Sequence, residues 1–256
     1  WEEALSVPTQ AVFFETPSNP MQELVDIAAV CDLAHAAGAK VVLDNVFATP
    51  MLQQGFPLGA DVVVYSGTKH IDGQGRVLGG AILGSQQYID EPVQKLMRHT
   101  GPALSPFNAW TLLKGLETLE LRVQHQNSSA LKIAKFLESN SSVRQVRYPF
   151  LESHPQYDLA KRQMTGGGTV VTFELEAPQD HAKQRAFEVL DKVQIIDISN
   201  NLGDSKSLIT HPATTTHRAM GPEGRAAIGL GDGVVRVSVG LEGVEDLIAD
   251  LDRALA

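Results

Sequence analysis

The sequence predicts an α/β fold, in which a mostly parallel sheet is followed by a smaller C-terminal α/β domain. Short apolar runs rich in valine alternate with stretches of helical spacing through the first half of the chain. Strands that alternate with helices in this way build parallel sheets. A long stretch of helical spacing then leads to a second set of strands and helices. We therefore predict two domains, residues 1–115 and 116–256.

The first half contains four apolar runs of strand length, each bounded by turn residues. They predict strands over 11–15, 41–44, 62–66 and 80–83. Apolar residues at intervals of three and four predict helices over 21–37, 50–58 and 87–98. A glycine-rich loop at 72–76 separates the third strand from the fourth.

The second half begins with helical spacing over 106–140, for which we expect a break near 127–129. Further strands are predicted over 143–148, 169–175, 194–198 and 234–239, and helices over 155–164, 180–192, 222–228 and 244–254. The stretch 207–217, rich in hydroxyl groups and imidazoles, is predicted to be a packed loop near a site.

Composition narrows the classes of function. With 43% hydrophobic and 20% charged residues in 256, the chain can bury a substantial core. Its net charge is −9 and its basic residues form no stripe, which argues against nucleic acid or a membrane as partner and favours a small-molecule substrate. No stretch is long and apolar enough to span a bilayer, and the single Cys31 excludes an intramolecular disulfide. We expect a cytoplasmic protein.

Polar side chains follow two of the predicted strands where each one ends. Asp44 closes one strand, and Ser66, Thr68 and Lys69 follow the next. The carboxyl ends of parallel strands meet in one crevice, where ligands bind. A lysine, a carboxylate and hydroxyl groups are what pyridoxal phosphate needs for its aldehyde, its ring nitrogen and its phosphate. Taken singly, the lysine is equally a solvated loop charge and the aspartate a turn residue; their order and context favour the cofactor site.

Two further motifs bear on the function of this crevice. The turn at 15–20 carries two prolines that would hold the Asn19 amide toward the same crevice, although an ordinary turn has this composition too. Arg236 lies within a valine-rich run, where burial is costly without an anionic partner. It is either a clamp for a substrate α-carboxylate or an exposed arginine of an edge strand.

A metal site is not predicted. His211 and His217 lie six residues apart, a spacing that matches no helical ligand pair, and no second cluster completes a set of ligands.

Together these motifs resemble the Cys/Met metabolism family of pyridoxal-phosphate enzymes. The resemblance extends over essentially the whole chain and rests on the segments 15–20, 43–45, 66–69, 207–217 and 236–242. It implies the aspartate aminotransferase-like fold, fold type I, with the N-terminal part of that fold outside this chain. Four shorter motifs resemble most closely the bacterial members that act on O-succinylhomoserine, and they lie at 72–76, 104–110, 201–204 and 211–215.

The resemblance implies roles for the residues around pyridoxal 5'-phosphate. Lys69 would form the Schiff base and then move protons at Cα and Cβ of the substrate. Asp44 would pair with the pyridinium nitrogen, and Ser66 and Thr68 would hold the phosphate. The substrate carboxylate would be oriented by residues of three segments, Asn19, Asn201 and Arg236.

The reaction implied is a γ-replacement, in which O-succinylhomoserine and sulfide give homocysteine and succinate in methionine biosynthesis. Alternatives within the family are an O-acetylhomoserine sulfhydrylase, a cystathionine γ-synthase and a cystathionine γ-lyase, which would share every cofactor residue. An alternative from a different class is a non-catalytic α/β binding module or an inactive fragment, with Lys69 a surface charge.

The resemblance also implies a homo-oligomer, a dimer of dimers, whose active sites are shared across a dimer interface. Family chains begin well over a hundred residues earlier, and that part supplies an aromatic residue against the ring, a phosphate loop, and tyrosine and arginine donated to the neighbouring subunit. The start at Trp1 reads as the inside of a fold, so we expect poor activity from this segment alone. Val46 stands where relatives often carry a hydroxyl or a thiol.

Overall fold

In the computed structural model, which describes residues 1–256, the first sheet contains the strands β1 Ala11–Glu15, β2 Lys40–Asp44, β3 Val62–Ser66 and β4 Gly80–Gly84. Their order in the sheet is β1-β2-β3-β4, and the sheet is parallel except at β4. Alternate valines and leucines of the inner strands are buried against the helix Ile27–Ala36, which covers one face. The parallel register pairs Glu15 with Asp44, so both strand ends lie at the same edge.

The second sheet contains the strands β5 Val143–Arg147, β6 Val170–Leu175, β7 Asp197–Ile198, β8 Leu208–Thr210 and β9 Val234–Ser238. Their order in the sheet is β5-β6-β9-β8-β7, and the sheet is antiparallel except between β7 and β8. The largest hydrophobic core of the chain packs here, with 22 buried residues contributed by this sheet and the helices against it. Every residue of β9 is buried, because β9 is the central strand.

Ten α-helices, several of them short, connect and cover the two sheets. They are α1 Ile27–Ala36, α2 Thr49–Leu52, α3 Gln86–Tyr88, α4 Gln94–Thr100, α5 Pro106–Leu116, α6 Leu119–Ser139, α7 Tyr157–Gln163, α8 Ala182–Lys192, α9 Gly221–Ala227 and α10 Val244–Leu255. None combines the length and the apolar character that crossing a membrane requires.

Three predicted helices differ from those observed. The helix predicted over 50–58 is divided into α2, Thr49–Leu52, and a separate 3-10 turn, Phe56–Leu58. The helix predicted over 21–37 begins only at Ile27, because the Asp26 side chain accepts the N–H of Ala29 and caps the helix there. The long helix predicted over 106–140 is broken, but between Leu116 and Leu119 rather than near 127–129. Helix α6 runs unbroken through Asn127, whose side chain accepts the N–H of Gly168 instead of disturbing its own helix.

Two segments of the second sheet also differ. The strand predicted over 194–198 is reduced to Asp197–Ile198, because the N–H groups of residues 194, 195 and 196 all bind the buried carboxylate of Asp250. The loop predicted over 207–217 contains strand β8, followed by a 3-10 turn at Pro212–Thr214. Its His211 is tied to Thr214 and to a backbone carbonyl.

The loop after β1 lies between the two sheets and ties them together. The side-chain amide of Gln22 donates to the Val170 carbonyl at 2.9 Å, and the Thr172 hydroxyl donates to the Pro20 carbonyl at 2.6 Å. The side chain of Gln156 pairs with both the N–H and the carbonyl of Leu24. These bonds fix the intervening turn, and with it Asn19, against β6 and β9.

Candidate active site

Lys69 lies at a kink in the short helical turn Gly67–Ile71, which follows β3 and is called here the lysine turn. Lys69 itself departs from helical geometry, with φ −90° and ψ −122°. Its half-buried Nζ donates to Oδ1 of Asn201 at 2.6 Å, across the gap between the two sheets. The lysine is therefore directed into the molecule and is not a solvated loop charge.

Asp44 ends β2 beside Glu15, the last residue of β1. One carboxylate oxygen of Asp44 accepts the N–H of Val46 at 3.1 Å, and the other has no partner in the protein. Glu15 accepts the N–H of Asn19 and so closes the turn that carries this asparagine. Two carboxylates consequently lie side by side at the carboxyl edge of the sheet.

Arg236 is 1% exposed, on the central strand of the second sheet, so the edge-strand alternative is wrong. Its Nη1 donates to Oδ1 of Asn19 at 2.8 Å, and its Nη2 donates to the carbonyls of Asn200 at 2.9 Å and Asn201 at 3.2 Å. Its Nε–H is buried without a partner in the protein. A cation held by neutral oxygens, with a donor to spare, is suited to bind an anion.

Hydrogen bonds thus form a chain from Lys69 through Asn201 and Arg236 to Asn19. These four residues come from four separate segments, and folding brings them together. Ser66 ends β3, and its hydroxyl makes no hydrogen bond within the protein. The hydroxyl of Thr68 lies 3.3 Å from the N–H of Gly79 and 3.5 Å from its carbonyl, so it is held weakly by the backbone.

Burial shifts the pKa of each charged group in this cluster. Desolvation lowers the pKa of Lys69, and the positive charge of Arg236 lowers it further. Desolvation raises the pKa of Asp44 and raises that of Glu15 to about 7, where Asp44 adds to the effect. Burial lowers the pKa of Arg236 to about 10, so the guanidinium is charged at neutral pH. A lysine with a lowered pKa is suited to accept and return protons.

The sequence does not reveal the contacts that two residues make around this site. Glu15 is visible only as part of a turn motif, and Arg122 carries no signal because it lies within an amphipathic helix. Arg122 is 8% exposed and binds the carbonyls of His70 and Gly115 at 2.8 Å each. The one available signal for its role would have been its position on the face of α6 that the helical spacing predicts to be buried, where an arginine is unusual.

The larger concavities of the chain lie away from this cluster. One of about 610 Å³ lies beside Arg144 and Asp232, and one of about 660 Å³ lies between Ile89 and Leu104.

Comparison with known proteins decides the family. The family model of the Cys/Met metabolism PLP-dependent enzymes matches residues 1–256. The chain belongs to this family. The O-succinylhomoserine sulfhydrylase of Mycobacterium tuberculosis is 83% identical over 256 residues, which are 100% of this chain and 63% of that protein. The O-succinylhomoserine sulfhydrylase of Pseudomonas aeruginosa is 50% identical over 100% of this chain and 62% of its own length.

Comparison with solved structures identifies the fold of this member of the Cys/Met metabolism family. The crystal structure of cystathionine gamma synthase from Xanthomonas oryzae pv. oryzae, in complex with aminoacrylate and cysteine, matches with a TM-score of 0.94 and 38% identity. The match covers 99% of this chain and 64% of that one. The predicted PLP-dependent transferase fold is confirmed. The chain spans less than two thirds of the length of the curated relatives cited above.

The residues present fit pyridoxal 5'-phosphate, the cofactor of this family. Lys69 offers a primary amine, Asp44 a carboxylate oxygen that no protein group occupies, and Ser66 an unpaired hydroxyl. All three lie at the carboxyl ends of neighbouring strands, where cofactors bind in open α/β sheets. This donor set matches the aldehyde, the ring nitrogen and the phosphate of the cofactor.

Proposed function

We propose that the intact protein catalyses γ-replacement, converting O-succinylhomoserine and sulfide to homocysteine and succinate. In this reaction the Cγ–O bond to succinate breaks and a Cγ–S bond to sulfide forms. The observation that carries the proposal is the hydrogen-bonded chain from Lys69 to Arg236, which sets a proton carrier beside an anion site. The 83% identity to a protein named for this activity supports the substrate.

Pyridoxal phosphate, when bound, supplies an aldehyde that condenses with amines and a ring that withdraws electrons from the substrate. Asp44 would hold the ring nitrogen in its protonated form, and Ser66 and Thr68 would bind the phosphate. Lys69 Nζ would take protons from substrate Cα and Cβ and return them to the same carbons, so that neither carbon gains or loses a proton over the whole reaction. Its lowered pKa favours the neutral amine that this step requires.

The substrate α-carboxylate would bind between Asn19 and Arg236, with Asn201 beside them. The guanidinium of Arg236, which no carboxylate of the protein pairs with, supplies the positive charge that a substrate carboxylate would bind. Because Asn201 contacts both Lys69 and Arg236, a carboxylate bound here would lie within reach of the proton carrier. Holding both groups in one geometry is the main contribution that this chain makes to the rate.

Steady-state assays of the full-length protein test the proposal. O-succinylhomoserine and O-acetylhomoserine are each paired with sulfide and with cysteine, and both the released succinate or acetate and the sulfur-containing product are measured. We expect the highest kcat/KM for O-succinylhomoserine with sulfide. Preference for the acetyl ester, or activity confined to cysteine or to elimination, would replace this proposal with one of the sister activities.

We further propose that the protein is a cytoplasmic homo-oligomer, a dimer of dimers, whose active sites are shared between subunits. Membership of the Cys/Met metabolism family supports this proposal, because the resemblance to that family implies such an assembly. Light scattering of the full-length protein should give a tetramer, and a monomer would overturn the proposal.

A further inference from the structure

The carbonyls at the end of the lysine turn are bound by an arginine side chain. Within the turn, the N–H of Asp72 binds the Gly67 carbonyl at 2.9 Å and that of Gly73 binds the Lys69 carbonyl at 2.8 Å. The carbonyls of His70 and Ile71 accept instead from Arg122, at 2.8 Å and 3.4 Å. Arg122 therefore supplies the donors that the irregular backbone at the end of this turn does not.

Arg122 can bind these carbonyls because its guanidinium forms no salt bridge with a carboxylate. No carboxylate oxygen lies within 4.0 Å of its guanidinium, which is buried against the carbonyls of His70, Ile71 and Gly115. Its Nε–H donates to the Thr118 hydroxyl at 3.1 Å. A cation at the carboxyl end of a helical turn is stabilised by the partial negative charges there. The guanidinium group of Arg122 thus connects the lysine turn, through its hydrogen bonds, to the break between α5 and α6.

Two glycines make the space for this arrangement. A Cβ added at Gly73 would lie 2.2 Å from Nη1 of Arg122, and one added at Gly115 would lie 2.0 Å from the Ile71 carbonyl oxygen. Both distances are far below van der Waals contact, so a side chain at Gly115 would displace the backbone of the lysine turn, and a side chain at Gly73 would displace the guanidinium of Arg122. The close approach of α5, the lysine turn and Arg122 therefore depends on glycine at both places.

The same turn is also joined to the segment that faces Lys69. The N–H of Ser205 binds the Gly73 carbonyl at 2.7 Å, and Gln126, one helical turn after Arg122, donates to the Asp204 carbonyl at 2.7 Å. Asn201, the partner of Lys69 Nζ, lies three residues before Asp204. Helix α6 thus holds both the lysine turn and the segment opposite it.

We propose that Arg122 is a positioning residue: it fixes the backbone of the lysine turn from behind and so sets the direction of Lys69 Nζ toward Asn201. This inference rests on the proposed function, because it assigns Lys69 to the chemistry. An arginine can bind the carbonyls of His70 and Gly115 together, whereas the single ammonium of a lysine has no planar fork to do so.

The test uses the full-length, cofactor-loaded protein with R122Q, R122K and G115A, and R144Q as the control. R144Q removes a surface arginine that pairs with Glu174 and Glu176. We measure hydrogen exchange of peptides covering residues 67–73, the pH titration of the visible absorbance of the bound cofactor, and kcat and KM. G115A displaces the turn without removing a charge, so it perturbs the same geometry independently.

We expect the three site variants to exchange the amides of 67–73 about 10-fold faster, to shift the absorbance titration, and to lose about 100-fold in kcat with little change in KM. R122K should not rescue R122Q, and R144Q should resemble the wild type. The inference is overturned if R122K matches the wild type in all three measurements. It is also overturned if R122Q lowers only the unfolding midpoint while exchange at 67–73 and the titration are unchanged.

Failure of the proposed function gives a different result. If the wild type forms a Schiff base at Lys69 but replaces no γ-substituent with any donor, the reaction assigned above is wrong. Exchange and the absorbance titration would then still report whether Arg122 positions the lysine.

Discussion

Replacing Glu15 by glutamine should stabilise the protein, and increasingly so as the pH rises. Burial raises the pKa of Glu15 from 4.5 to about 7, so the folded protein retains a proton that the unfolded chain has released. The stability that this retained proton gives is present below about pH 4.5 and is lost as the pH rises through 7. Glutamine resembles the protonated acid in shape and does not titrate.

The magnitude follows from the two pKa values. Between about pH 5 and about pH 8 the wild type should lose about 2 to 3 kcal/mol relative to E15Q, because each pKa unit corresponds to about 1.4 kcal/mol. The midpoint of urea unfolding of the full-length protein, followed by circular dichroism at both pH values, measures this difference. E152Q is the matched control, since Glu152 is exposed and makes no hydrogen bond through its side chain.

The reasoning is refuted if the advantage of E15Q is the same at both pH values, because Glu15 would then not hold a proton near neutral pH. It is also refuted if E15Q is the less stable protein at pH 8. That result would mean that attraction between ionised Glu15 and Arg236 outweighs the cost of burying the charge.

Three further changes test other parts of the structure. R236K should lower kcat/KM at least about 30-fold, mainly through KM in steady-state assays, because truncating a buried charged clamp costs 2 kcal/mol or more. N201D should raise the pKa of Lys69, because it places a carboxylate beside Nζ. The acid limb of the pH–rate profile should therefore move to higher pH, and an unchanged profile would contradict the contact between Lys69 and residue 201. D250N should lower the unfolding free energy by about 2 to 3 kcal/mol, because the carboxylate accepts three N–H groups from 194–196. The pKa of Asp250 is lowered in the folded protein, so the stability advantage of the wild type over D250N should be lost as the pH falls below about 4. Equal urea midpoints of the two proteins at pH 7 would contradict this prediction.

The strand ends that carry the site were predictable from sequence. The first three strands end at Glu15, Asp44 and Ser66 as the apolar runs predict, because each run stops abruptly at a polar residue. Parallel pairing then requires these ends to share an edge. The side chains that follow a buried strand are therefore visible in the pattern before any contact is known.

Contacts between distant segments were not predictable in the same way. The valine-rich run around Arg236 is equally consistent with a clamp for a carboxylate and with an exposed edge strand. The position of β9 at the centre of its sheet, between β6 and β8, decides between these two alternatives. The shortening of the strand before Ile198 depends on Asp250, which lies more than fifty residues later. Arg122 has no local signature because its partners belong to the lysine turn. In each case one side chain satisfies backbone groups remote in sequence.

The most direct test of the site is to identify the lysine that carries the cofactor. Full-length protein is reduced with borohydride, digested, and mapped by mass spectrometry, with K114A as a control at an exposed lysine. A pyridoxyl adduct on Lys69, retained in K114A and lost in K69A, is the predicted result. An adduct on another lysine, or none on Lys69 in protein that holds the cofactor, would contradict the assignment of the active site to the lysine turn.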